Sequence, residues 1–180
     1  MSSRDGKAFR RWDEAFLRPG PHMEGSWTYG DTYQAYGLLE TESDQPSAPP
    51  ELSFYANEGC LRGDSTFFRR YTLRMDGFVS VNAAFSGGEF VTKLLTFSGS
   101  RLTLNMSTSG AGSIHVEIQD ADSVPIDGYA LDDCHEVIGD EIERTVSWMG
   151  GSDVSRLAGR SVRMRLVLSD ADLYAMQFSD

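Results

Sequence analysis

The stretch Val162–Leu168 is cleanly amphipathic. Val162, Met164, Leu166 and Leu168 share one side, and Arg163 and Arg165 lie on the other. A period of two belongs to a β-strand with one face buried and one face wet. Ser113–Gln119 repeats the pattern, with Ile114, Val116 and Ile118 against His115, Glu117 and Gln119. A fold for this chain must therefore give two such strands a shared apolar interior.

The rest of the sequence agrees. Helical periodicity is weak, and short apolar or alternating runs are separated by Gly, Ser, Asp and Pro, the all-β signature. The expected strands are Tyr33–Thr41, Glu51–Glu58, Phe67–Arg74, Phe78–Ala84, Glu89–Thr96, Arg101–Ser107, Ser113–Gln119, Val146–Trp148, Val162–Ser169 and Leu173–Phe178. One helical turn is expected at Val154–Ala158, capped by Ser152 or Asp153 and ended by Gly159. Pro46, Pro49 and Pro50 exclude regular structure over residues 43–50. Asp120–Ile126 reads as a hairpin turn.

The chain has 180 residues, enough for one domain or two small ones. Its 16 basic and 27 acidic residues give a net charge of −11. Such a surface repels nucleic acid and anionic lipid, whose binding needs Lys and Arg to replace counterions. No stretch approaches the 18 or so apolar residues that span a bilayer, and the first residues lack the apolar core of a signal peptide. Cys60 and Cys134 read as independent thiols, without metal-ligand spacing to His22, His115 or His135. Composition shifts near Asp76-Gly77. Residues 1–76 are rich in aromatics and Arg, and residues 77–180 are more acidic, with ten carboxylates and no Lys or Arg from Glu117 to Glu143.

Several clusters invite a functional reading. Trp27, Tyr29, Tyr33 and Tyr36 fall within ten residues, a density that suits a sugar-stacking surface, because the apolar faces of sugars pack on rings. Asp31 and Glu40 nearby are candidate carboxylates for glycosidase chemistry. In Phe67–Arg74, alternation places Phe67, Arg69, Tyr71 and Leu73 on one face and Phe68, Arg70, Thr72 and Arg74 on the other. Arginines so placed pair with carboxylates. Trp148 is a stacking ring if exposed and a core residue if buried. Asp120 and Asp122, within the acidic run, are candidate oxygen ligands for calcium, although they open no EF-hand loop.

Three stretches together resemble one family: Trp27–Thr41, the run Arg69–Ser80, and the tail Phe90–Phe178 with its Val116–Asp122, Ile138–Arg144, Trp148–Asp153, Leu157–Gly159 and Asp170–Tyr174 segments. They are similar to the C-terminal part of large bacterial proteins related to glycoside hydrolase families 32 and 43, a five-bladed β-propeller followed by a β-sandwich. Ser3–Phe9 (Ser-Arg-Asp-Gly-Lys-Ala-Phe) also resembles the Asp-box turn of propeller blades, in which an Asp side chain and a Gly hold the turn and an aromatic is pinned behind it. The resemblance implies residues 1–76 as the last strands of a propeller and residues 77–180 as an antiparallel, jelly-roll-like sandwich. It implies a non-catalytic accessory module, with an upstream propeller and a polysaccharide or oligosaccharide as partners and no cofactor beyond a possible structural calcium. By analogy it implies an extracellular or periplasmic location. Two alternatives stand beside it: an active hydrolase with Asp31 or Glu40 in the cleft, and a purely structural or interaction sandwich.

Overall fold

The structure is a computed structural model that describes residues 1, 3, 5–18, 32–59 and 66–180. It is all-β, with two antiparallel sheets. The chain divides into two compact units, Met1–Leu73 and Arg74–Asp180.

In the first unit, β1 (Thr32–Gln34), β2 (Leu39–Thr41) and β4 (Phe67–Arg74, whose last residue opens the second unit) all pair with β3 (Glu51–Glu58). The single strand expected over Tyr33–Thr41 is interrupted. Ala35 N–H donates to the Tyr55 carbonyl at 2.8 Å, and Leu39 pairs with Ser53. Tyr36, Gly37 and Leu38 therefore oppose Phe54 alone, and Gly37, at φ +102°, makes the bulge that a side chain resists. Beneath this sheet Phe54 stacks on Phe16 at 5.4 Å and on Tyr71 at 5.3 Å between ring centroids. Phe54 and Ala56 are the buried apolar residues of this unit among the described residues.

The Ser3–Phe9 turn is held as its sequence suggests. Asp5 Oδ1 accepts from the Lys7 and Ala8 N–H groups, each at 2.8 Å, and Ser3 Oγ accepts from Gly6 N–H at 2.9 Å. These donors, first Ala8, then Lys7 and the Ser3 hydroxyl, hold the Asp5 carboxyl below the usual range. Phe9 is not pinned behind the turn but is 58% exposed.

The second unit is one five-stranded sheet of β5 (Val81–Ala83), β6 (Gly88–Val91), β7 (Arg101–Gln119), β8 (Asp140–Thr145) and β9 (Arg163–Ser179). β5 and β6 line up on β9, β9 pairs with β7, and β7 pairs with β8. The runs expected as four strands, Arg101–Ser107 with Ser113–Gln119 and Val162–Ser169 with Leu173–Phe178, are two long bent ones. Thr108 pairs with Ala171 and Ser113 with Ser169, so Ser109–Gly112 oppose Asp170 alone. Asp170 has φ +43°, and a Cβ on Gly112 would come within 2.3 Å of the Asp170 carbonyl oxygen. The two strands bend together here, and the extra residue shifts the phase of β9. Met164, Leu166 and Leu168 point inward before the bend, and Ala171 and Leu173 after it.

The bend folds the sheet over its own apolar face. Leu102, Leu104 and Met106 from one half of β7 join Ile114, Val116 and Ile118 from the other in a single cluster of twenty buried side chains. Two halves of one curled sheet thus supply the walls of a sandwich-like core. Burying each such side chain is worth about 1.5–3 kcal/mol. Loop residues Tyr129, Val137, Val146, Trp148, Val154 and Leu157 close the open side.

β8, inside the acidic run read as a solvated rim, is an edge strand. Ile142 alternates with exposed Glu141 and Glu143, and such charges on an edge discourage pairing with another chain. Val146–Trp148, expected as a strand, contributes isolated bridges from Trp148 to Cys134 and to Gly151. The expected helical turn is a 3-10 turn over Ser155–Leu157. Asp153 Oδ1 accepts from the Ser155 N–H at 2.8 Å, and Gly159 follows at φ +77°.

The composition break at Asp76-Gly77 lies just beyond the unit boundary at Leu73–Arg74. Arg74 belongs to the second unit through its side chain. Its guanidinium donates to Asn105 Oδ1 at 3.0 Å, pairs with Asp140 at 2.5 Å and lies 4.4 Å over the Tyr174 ring. Tyr174 is the extra residue where the β7–β9 register slips between Asn105 and Met106. Asn105, buried at this slip, donates its amide to the Met75 carbonyl at 2.6 Å.

Candidate functional site

In the first unit, the alternation of β3 sorts its residues to two faces. Phe54 and Ala56 take the buried side. Ser53, Tyr55 and Asn57 take the other, together with their cross-strand partners Leu39 and Tyr33. Tyr33 is directly opposite Asn57 and diagonal to Tyr55, close enough for the two rings to form one surface. Tyr33 is 50% exposed and Tyr55 38%. Tyr36, thrown out by the bulge opposite Phe54, is fully exposed.

The polar side chains of this face are engaged with one another. Arg70 donates through Nε to Ser53 Oγ at 2.8 Å and through Nη2 to Thr41 Oγ1 at 3.2 Å. The same guanidinium pairs with Glu51 at 2.9 Å and Asp44 at 3.3 Å. Arg69 points the other way and pairs with Glu58 at 2.8 Å, and the Tyr71 hydroxyl donates to the same carboxylate. The strand alternation thus separates the two arginines as the sequence indicates, and both meet carboxylates. One group is left over: Asn57 Oδ1 is buried without a hydrogen-bond partner among the described residues, a state that costs about 1–3 kcal/mol.

The sequence candidates distribute unevenly over this geometry. Tyr33 and Tyr36 are exposed rings in the first unit. Trp27, Tyr29 and Asp31 lie outside the described residues. Glu40 is exposed on β2 and pairs with Leu52, so alternation puts it on the face opposite Tyr33 and Tyr55. Trp148 offers no ring face to a sugar. It is 1% exposed, its indole N–H donates to the Val116 carbonyl at 2.9 Å, and Tyr129 packs edge-on at 5.1 Å. The stacking role read for Trp148 gives way to a core role, because its segment lies across the open side of the bent sheet.

Asp120 and Asp122 flank the expected turn after β7. Asp120 Oδ1 accepts from the N–H groups of Asp122 at 2.9 Å and Val124 at 3.0 Å, and Ser123 takes φ +66°. That carboxylate is a turn-former, the ordinary use of Asp at such a position. Among the described residues no three His, Cys, Asp or Glu side chains are grouped to hold a metal ion. Cys134 is buried, and burial pushes its thiol pKa up, away from the reactive thiolate. Cys60 lies outside the described residues.

A second polar group sits on the face of the second unit's sheet that the alternation marks as wet, yet Glu117 and Gln119 there are buried, because Leu131 and its loop and the Arg165 side chain pack over them. Arg165 bridges Glu89 at 2.6 Å and Glu117 at 3.6 Å, and Gln119 donates to Glu117 Oε1 at 2.7 Å. The second oxygen of Glu117 accepts from Leu131 N–H at 3.2 Å. This buried carboxylate ties two strands and a loop together, and its partners are supplied by the chain itself.

Tyr55, Asn57 and Glu51, the carboxylate that Arg70 meets, are the site residues the sequence reading passed over. The signal was present in Ser53, Tyr55 and Asn57 at alternate positions of Glu51–Glu58. It became a face only once Tyr33 was known to pair with Asn57. No protein-family model, no curated protein and no solved structure matches this chain.

Proposed function

We propose that this chain is a non-catalytic, carbohydrate-associated β-sandwich module of a glycoside-hydrolase-like protein. The sugar contact lies on the Tyr33–Tyr55 face, and Arg74–Asp180 serves as scaffold. The observation that carries this reading is the pair of half-exposed tyrosines, diagonal neighbours on one face of the sheet, where Arg70 is already paired with Glu51. Rings held this way present flat apolar area at low entropic cost, which suits the C–H faces of a sugar. Glu40, the described candidate for hydrolysis, stands on the opposite face of the sheet.

The test is affinity electrophoresis of the full chain through gels containing polysaccharides, with and without the double substitution Tyr33→Ala/Tyr55→Ala. The expected result is retardation by at least one polymer, abolished in the variant while its melting curve stays unchanged. Retardation by none removes the sugar contact and leaves a structural module. Release of reducing sugar that Glu40→Gln abolishes makes the hydrolase reading the correct one.

A further inference from the structure

We infer that the ligand of the Tyr33–Tyr55 face is an uncharged glycan and that acidic polysaccharides are turned away. This rests on the sugar-contact reading above and adds the class of sugar.

The argument is electrostatic. Over the described residues of this sheet, 32–59 and 66–73, five carboxylates (Glu40, Glu42, Asp44, Glu51 and Glu58) stand against two arginines, Arg69 and Arg70. Both arginines are spoken for, Arg69 by Glu58 and Arg70 by Glu51 and Asp44. A uronate or sulfate on a sugar is held by a guanidinium fork or an ammonium. To release Arg70 for that purpose, the ligand must displace two carboxylates and break the bonds to Ser53 and Thr41. The net charge of −11 adds long-range repulsion of any polyanion.

What remains for recognition is uncharged. The Tyr33 and Tyr55 rings provide stacking area. Asn57, directly opposite Tyr33 in the register, supplies an amide oxygen with no hydrogen-bond partner among the described residues, a neutral acceptor for a sugar hydroxyl. Tyr36, beyond the bulge, extends the aromatic edge.

The experiment compares binding of the full chain to uncharged hexose and pentose polymers with binding to polygalacturonate and alginate, at about 20 mM and about 500 mM salt, where screening differs several-fold. The expected result is binding to an uncharged polymer with less than about a twofold change in affinity across that range, and no binding to either polyanion. Polygalacturonate binding that fades as salt rises overturns the inference while the sugar contact survives. Failure on every polymer overturns both together.

Discussion

Both units are antiparallel sheets built from short alternating runs, yet they bury their apolar residues to very different extents. In Arg74–Asp180 twenty side chains close into one core. In Met1–Leu73 the buried apolar residues among those described are Phe54 and Ala56, while Tyr33, Leu39, Tyr55, Phe67 and Phe68 are each more than a third exposed. Strand propensity is similar in both. The difference is that β7 and β9 are long enough to bend at Gly112 and Asp170 and return over their own apolar face. β3 has eight residues and, among the described residues, carries the Phe16–Phe54–Tyr71 ring stack beneath it. Closure, more than alternation, turns a sheet into a core. A sheet that does not close keeps rings at its surface, where a ligand can reach them.

The largest expected effect comes from removing the ring that closes the curled sheet. Trp148→Ala leaves a cavity and strands the Val116 carbonyl, and the expected loss is about 3–5 kcal/mol. That is a large share of the roughly 5–15 kcal/mol available to a domain. Chemical denaturation is the measurement. A loss below about 1 kcal/mol would show that the other loop residues, and not Trp148, close the core.

The bend is tested next, by two glycines two residues apart. Gly112→Ala forces a methyl against the Asp170 and Ser169 carbonyls, at 2.3 and 2.7 Å, and the expected cost is about 3 kcal/mol. Gly110→Ala meets nothing within 4 Å, and its effect should stay within about 1 kcal/mol in either direction. Equal melting temperatures for the two variants would mean that the corner is not fixed by close approach of the two strands.

The legible and illegible parts of this molecule follow from the same physics. The inner faces of Ser113–Gln119 and Val162–Leu168 were readable because a fixed period reports burial directly. The continuity of β7 through Ser109–Gly112 was not, since Ser and Gly there look like a turn and only the partner strand shows that the chain keeps its direction. The phase shift at Asp170 depends on a backbone conformation that the residue type does not announce. β8 was hidden because an edge strand needs few apolar residues. Its Asp-Glu-Ile-Glu pattern is indistinguishable from a solvated rim until Thr103 and Leu104 are found beside Thr145 and Arg144. Tyr33 and Tyr36 were found by density alone. The face that unites Tyr33 with Tyr55 and Asn57 required the register.

A smaller and more local effect is expected in the first unit. Phe54→Ala removes the middle ring of the Phe16–Phe54–Tyr71 stack, worth about 3 kcal/mol to whatever that sheet closes. Because the described residues of this unit bury so little else, the outcome should be local opening. Hydrogen exchange at the amides of β3 should rise toward unprotected rates, while those of β7 and β9 in the second unit keep their protection. Equal acceleration in both units would erase the contrast drawn between them.

The smallest effect lies in the last loop that covers the core. The Asp153 carboxylate accepts from the first N–H of the Ser155–Leu157 turn, one residue ahead of the N-cap Val154. The Ser155 hydroxyl first, and then its N–H, hold the carboxyl below the usual range. A carboxyl whose folded pKa is depressed contributes its stabilisation above the unfolded value and loses it as pH falls through the folded one. The turn should therefore be intact at neutral pH and loosen only in acid below the ordinary Asp range. The Ser155 amide shift should report a midpoint under that of an unfolded Asp, and Asp153→Asn should flatten that titration with little change in global melting. Leu157, fully buried at the end of the same turn, limits how far the loosening spreads. If the amide follows an unperturbed Asp titration, that hydrogen bond is too weak to hold the loop, and its order comes from Leu157 and the core alone.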